Sequence, residues 1–98
     1  AIEAKAYGQK ECFEAGVKFA NVEGIIPAPE ATHAVKGAID EALECKKNGK
    51  TKTILFNLCG HGHFDMQAYG DYFNNKLSVD KYNEAEVNKA LEKLPKIA

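Results

Sequence analysis

The sequence predicts an α/β layered fold with few strands and flanking helices. Three observations lead there. Residues 2–7 alternate in polarity, with Ile2, Ala4 and Ala6 on one side and Glu3, Lys5 and Tyr7 on the other, the period of a half-buried strand. Residues 53–58, Thr-Ile-Leu-Phe-Asn-Leu, form a nearly continuous apolar run, as buried parallel strands do. Between them lie two segments whose apolar residues recur at helical spacing. The order strand, helix, helix, strand, loop, helix is that of α/β layering. One or two strands cannot make a covered sheet, so the partner strands are expected from a second copy or from a missing part of a longer parent chain.

The elements follow in order. Gly8 ends the first strand. Residues 9–21 are expected to be helical, with Cys12, Phe13, Val17, Phe19 and Ala20 inward and Glu11, Glu14 and Lys18 in water. Residues 22–29 form a connector punctuated by Gly24, Pro27 and Pro29, in which Ile25 and Ile26 are expected to plug a core. Pro29 suits a first helical turn, where its missing N–H costs nothing. The next helix is expected over 30–47. Its apolar stripe is Ala31, Ala34, Val35, Ala38, Ile39, Ala42 and Leu43, and packing rather than i,i+4 pairs is expected to hold it. Asn48-Gly49 is a stop signal. The strand 53–58 runs into Gly60-His61-Gly62-His63, and a short helix resumes over 64–73 with Met66, Tyr69, Tyr72 and Phe73. The chain is then polar, with a terminal helix expected over 84–94, stopped by Pro95.

Composition narrows the function. The 98 residues carry 13 basic and 14 acidic side chains, for a net charge of −1, and every basic residue is Lys. Nucleic-acid binders usually carry a basic excess and favour Arg for phosphate and guanine, so nucleic acid is not an expected partner. No run approaches the roughly 20 apolar residues that span a bilayer, so no membrane partner is expected. Residues 1–5 do not form a secretory signal, and the lack of an initiator Met fits an excised or processed chain. Three widely spaced cysteines, Cys12, Cys45 and Cys59, argue against a disulfide framework and for a reducing, cytoplasmic setting. Cys12 and Cys45 lie on helical stripes and are expected to be small buried apolar residues.

Two segments carry candidate chemistry. In residues 57–65, Asn-Leu-Cys-Gly-His-Gly-His-Phe-Asp, a buried strand ends in glycines that alternate with histidines before a helix begins. Ligands in open α/β sheets bind beyond the carboxyl ends of strands, and a helix N-terminus there offers N–H groups. The same residues also fit a plain strand-to-helix turn. In residues 25–33, Ile-Ile-Pro-Ala-Pro-Glu-Ala-Thr-His, Glu30 fits either a functional carboxylate or a helix cap, and His33 fits packing or capping. Together Glu30, His33, Cys59, His61, His63 and Asp65 allow a metal, although the spacing lacks the paired patterns of structural zinc sites. A reactive Cys59 thiol beside two histidines has no visible oriented base or oxyanion hole.

At these two segments a family resemblance becomes specific. Residues 23–34, Glu-Gly-Ile-Ile-Pro-Ala-Pro-Glu-Ala-Thr-His-Ala, resemble the E-G-I-x-P-A-x-E-[ST/A]-x-H-A stretch of tryptophan synthase β chains. Residues 57–65 are similar to their N-L-S-G-x-G-x-x-D stretch. The His61-Gly62-His63 variant and the Phe13-Glu14-Ala15-Gly16 lead-in resemble the second, mainly archaeal type. The similarity covers about residues 1–73.

The resemblance implies part of the large domain of a fold-type-II pyridoxal-phosphate enzyme. It implies a single C-terminal segment, 1–98, of a larger catalytic domain, with the motifs in 1–73 and a tail in 74–98. In that family the cofactor-bearing lysine and the phosphate cradle lie upstream of these motifs. No G-G-G-S-N cradle and no lysine in the family's context occur here, so no catalytic residue is assigned to this chain and it is expected to be inactive alone. The implied cofactor-binding residues are Glu30, near the cofactor ring, Cys59, where the family usually has a Ser bonding the pyridine nitrogen, and Gly60 and Gly62, which line that wall. No metal is implied. His61 replaces a common Arg and His63 an Asp that helps organise closure, which puts substrate gating in doubt. The implied partners are the remainder of the parent chain, a second copy in a homodimer and a tryptophan synthase α subunit. The implied reaction joins L-serine and indole to L-tryptophan. The other reading is a small metal- or ligand-binding α/β module built on the Cys59–Asp65 loop.

Overall fold

The computed structural model describes residues 1–78 and 83–95. Four helices organise them: α1 (Gln9–Glu23), α2 (Ala31–Asn48), α3 (Met66–Phe73) and α4 (Glu84–Leu91), with a 3₁₀ turn at Gly62–Phe64 between α2 and α3. Helix α1 packs along α2, and α3 closes onto α1. Residues 79–82 and 96–98, part of the expected tail, lie outside the described residues.

Local chemistry sets the helix ends. At the start of α1 the Glu11 carboxylate accepts from the Gly8 N–H at 2.8 Å, which places an acid in the first turn where the helix dipole favours it. Gly24 and Gly49, both with positive φ, end α1 and α2. At the second of these Lys50 N–H reaches the Cys45 carbonyl at 2.9 Å and Gly49 N–H the Lys46 carbonyl at 3.4 Å, the paired bonds of a Schellman motif. Asn83 caps α4, its side chain accepting from the N–H groups of Ala85 and Glu86. That helix ends at Leu91, a turn's length short of the expected limit at 94.

The core lies between α1, α2 and α3. Cys12, Phe13, Ala15, Ala28, Ala31, Val35 and Tyr69 are buried, and Thr32 is wholly so. Phe13 is the aromatic centre: Tyr69 meets it edge-on at 5.0 Å and Tyr72 stacks on it at 5.8 Å. The expected inward faces need correction. Leu43 is 58% exposed while Cys45, two residues on and on the other side of the helix, is buried. Pro27 and Ala28 are buried rather than Ile25. An i,i+4 ion pair, Lys36 Nζ to Asp40 Oδ1 at 2.7 Å, also supports α2, where packing alone was expected.

The two expected strands do not form. Among the described residues there is no β-ladder, and the strand-like pairing is one antiparallel bridge between Pro27 and His61. A strand is defined by hydrogen bonds to a neighbour, and residues 51–59 have no ladder partner among the described residues. The alternation of a strand is nevertheless present. Ile54, Phe56 and Leu58 are half-buried, while Thr53, Leu55 and Asn57 are exposed, and Phe56 meets Phe19 of α1 edge-on at 5.9 Å. Leu55 is 96% exposed and Ile2 fully so. Lys52 and Lys5 both reach Glu41 of α2, at 2.6 and 4.0 Å, so both segments run beside that helix. Among the described residues the expected helices are in place and the expected sheet is not.

Candidate functional site

The connector 25–30 and the loop 57–65 are distant in sequence, and the fold brings them together. Pro27 has no N–H to donate, so the bridge to His61 uses flanking residues: Gly62 N–H donates to the Ile26 carbonyl at 2.8 Å. The Pro27 carbonyl is taken by the Tyr69 hydroxyl at 2.6 Å. Asp65 N–H returns to the Gly62 carbonyl at 2.9 Å, closing the 3₁₀ turn that leads into α3. The two segments thus form one wall, tied from behind by a helix.

Glycine is required twice here. Gly60 has φ +73°, a left-handed conformation that side-chain-bearing residues avoid. Gly62 is buried, and a Cβ built on it would lie 2.6 Å from Ile26 Cγ2, 2.7 Å from the Pro27 carbonyl oxygen and 3.0 Å from Tyr69 Cε2. Gly60 therefore turns the wall and Gly62 lets its two strands of chain touch.

Cys59 stands just before this turn and is exposed, whereas Cys12 and Cys45 are buried, as expected of them. Burial, reinforced by the Glu11 charge, pushes the Cys12 thiol above its ordinary range. Burial also raises the Tyr69 phenol, with Asp65 adding to the effect. Both groups are held in their neutral forms.

Glu30 sits at the N-cap position of α2 with helical dihedrals and makes no side-chain cap bond. The capping explanation is therefore not what the structure builds. Glu30 is exposed and, with Tyr7, Gln9, Cys12 and His33, lines a cleft of about 360 Å³. That cleft opens between the starts of α1 and α2, whereas Cys59, Gly60 and Gly62 belong to the bridge. Of the four expected residues, the structure joins Gly60 and Gly62 to the connector directly: a Cβ on Gly60 would lie 3.4 Å from the Ala28 Cβ.

The two loop histidines are engaged locally. His61 Nδ1 accepts from the His63 N–H at 3.2 Å, and their rings meet edge-on at 4.9 Å. Among the described residues no three of His, Cys, Asp and Glu are placed to hold a metal ion. Two positions escaped the sequence reading. Tyr69 was legible only as one apolar residue of a short helix, and Gly16 as a residue of α1. Gly16 lies under Thr32 and the Tyr69 hydroxyl, 2.6 and 3.1 Å from an added Cβ.

No protein-family model matches the chain. Curated relatives do. The chain is 62% identical over 76 residues to tryptophan synthase beta chain 2 of Methanosarcina mazei, a match covering 78% of this chain and 17% of that protein. It is 60% identical over 77 residues to the protein of the same name from Aquifex aeolicus, covering 79% and 18%. The matched residues are homologous to tryptophan synthase β chain 2. The Thermococcus kodakarensis protein of that name is 54% identical over 76 residues, again with 78% of this chain and 17% of the relative. The chain thus spans about a sixth of the length of the tryptophan synthase β chains it matches. This similarity favours the family reading over a separate metal- or ligand-binding module. Among the described residues no helix is long and apolar enough to cross a membrane.

Proposed function

We propose that this chain is the C-terminal portion of a pyridoxal-phosphate-dependent enzyme of the tryptophan synthase β type, making L-tryptophan from L-serine and indole. Residues 1–98 are one segment of a larger catalytic domain, with the motifs in 1–73 and a tail in 74–98. The observation that carries the reading is the Pro27–His61 bridge. It unites the two segments that resemble family motifs into a single wall, in a chain whose matched residues are those of the relatives.

The donor set fits one flank of the cofactor, the pyridine-ring side. Cys59 and Gly60 are exposed beside the bridge, and glycine backbone at Gly60 admits a flat ring closely. When bound, pyridoxal phosphate supplies an electron sink whose strength depends on protonation of its ring nitrogen. Cys59 Sγ would be a weak hydrogen-bond partner for that nitrogen, holding it without giving it a proton, which would favour β-elimination and replacement. Gly60 would line the ring face, and Gly62, packed against Ile26, Pro27 and Tyr69, would hold that wall from behind. Glu30 contributes a carboxylate near the ring once the rest of the pocket has assembled. The cofactor-bearing lysine and phosphate cradle come from outside this chain, which is inactive alone.

The same reading gives residues 2–7 and 53–58 their strand partners. The rest of the parent chain supplies the neighbours that their alternating faces lack, restoring the α/β layering of fold type II. The partners are then that remainder, a second copy in a homodimer and an α subunit, in the cytoplasm.

The test is a visible absorption spectrum of the product of the complete open reading frame that encodes these residues, purified with added pyridoxal phosphate. A cofactor band that shifts on adding L-serine, with tryptophan formed when indole follows, is the expected result. No band, or a band indifferent to serine, overturns the proposal.

A further inference from the structure

We propose that Tyr69 is a positioning residue that sets the spacing of the Gly60–Gly62 wall by holding the Pro27 carbonyl. The proposal rests on the reading of that wall as the cofactor's ring side, but its geometry stands apart from it. Tyr69 is 5% exposed, and its ring lies almost wholly within the core. Its hydroxyl donates to Pro27 at 2.6 Å, across 42 residues of sequence. The bonding of the bridge uses the Ile26 carbonyl and the Gly62 N–H, so the Pro27 carbonyl, turned inward between them, depends on the phenol.

Three further contacts fix the ring that carries this hydroxyl. Phe13 of α1 meets it edge-on, Gly16 lies against the hydroxyl, and Gly62 lies against its Cε2 edge. The Tyr69 N–H is bonded to Asp65 at 3.3 Å, so its helix begins where the loop ends. The loop therefore cannot move away from the connector without dragging α3 off Phe13. A buried carbonyl left without its donor is costly, and the chain's cheapest response is to open the bridge toward water.

Tyr69→Phe keeps the ring and removes only the donor, and Tyr72→Phe on the same helix is the control. In ¹H–¹⁵N spectra of this chain, Tyr69→Phe should displace the Gly60 and Gly62 signals and speed Gly62 amide exchange by about tenfold or more, as loss of a buried hydrogen bond at a local opening would. Exchange at Val35, in the second turn of α2, should stay as it was, and Tyr72→Phe should leave both glycines unmoved. Unchanged glycine signals overturn the proposal, as does equal acceleration at Val35, which would make Tyr69 an ordinary core residue. In the complete reading-frame product the substitution should also weaken pyridoxal phosphate binding several-fold. If the glycines respond while neither version binds the cofactor, the positioning role stands and the cofactor reading falls.

Discussion

Gly62 lies so close to Pro27 that a Cβ on it would sit 2.7 Å from the Pro27 carbonyl oxygen. That atom is backbone, held on its other side by Tyr69, and cannot swing aside as the end of a flexible side chain could. Gly62→Ala should therefore destabilise the chain by about 1–3 kcal/mol, the usual cost of overpacking. Gly16→Ala meets Thr32 Cγ2 at 2.6 Å, in a side chain that is fully buried and β-branched. There the roughly 1 kcal/mol helix-propensity gain of Ala over Gly offsets part of the clash, so the net loss should be smaller. Urea unfolding followed by circular dichroism checks both, and a Gly62→Ala chain as stable as the parent would contradict the packing described.

Thiol chemistry should separate the three cysteines. Cys59 is exposed and Cys12 and Cys45 are buried, with the Cys12 thiol pushed up by burial, and a thiolate is what reacts. Mass spectrometry after brief iodoacetamide treatment at pH 8 should find one adduct, on Cys59, in the native chain and three in denaturant. In the complete reading-frame product Cys59→Ser should keep or improve cofactor binding, and Glu30→Ala should impair turnover. Loss of cofactor binding on Cys59→Ser would contradict the assigned role.

Alkali should loosen the fold through Tyr69. Burial raises its phenol above the ordinary value of 10.0, so the folded chain holds that proton more tightly than the unfolded one. Below the unfolded value the two states bind the proton alike and stability is unaffected. Above it the unfolded chain binds fewer protons, and stability falls as pH rises until the folded phenol ionises too. Cys12, raised from 9.0, acts with the same sign from a lower pH. The urea midpoint should drop between pH 9 and 11, and drop less in Tyr69→Phe. An equal drop in both would remove Tyr69 as the cause.

The segment 53–58 should have the exchange behaviour of unpaired chain. Its residues make no backbone hydrogen bond among those described, although Ile54, Phe56 and Leu58 rest half-buried. Its amides should exchange much faster than those of Val35 in α2, the difference expected between an unprotected segment and a core helix. Protection comparable to α2 at low concentration would mean that the segment is paired after all.

The family resemblance was legible in the chain itself. Cys59, Gly60, Gly62 and Glu30 stand in two short motifs whose order and composition suffice to point to the tryptophan synthase β family. The helices were legible as well, because periodicity and terminal glycines are local properties: Gly49 stops α2 where the stop signal stood, and α1 runs only two residues past its expected end to Gly24. What could not be read locally needed a partner. Residues 53–58 have the pattern of a strand, yet a pattern becomes a strand only when another segment supplies its hydrogen bonds.

The sequence by itself determined which residues are helical, which are chemically apt, and which family they resemble, since each of these depends on residue type and spacing along the chain. Only the tertiary structure decided that Glu30 makes no cap, that Leu43 faces water while Thr32 is buried, and that Tyr69 holds Pro27. Those outcomes depend on which surfaces meet across tens of residues. Packing settles them by excluding water from some contacts and leaving others in it, and no local rule records that choice.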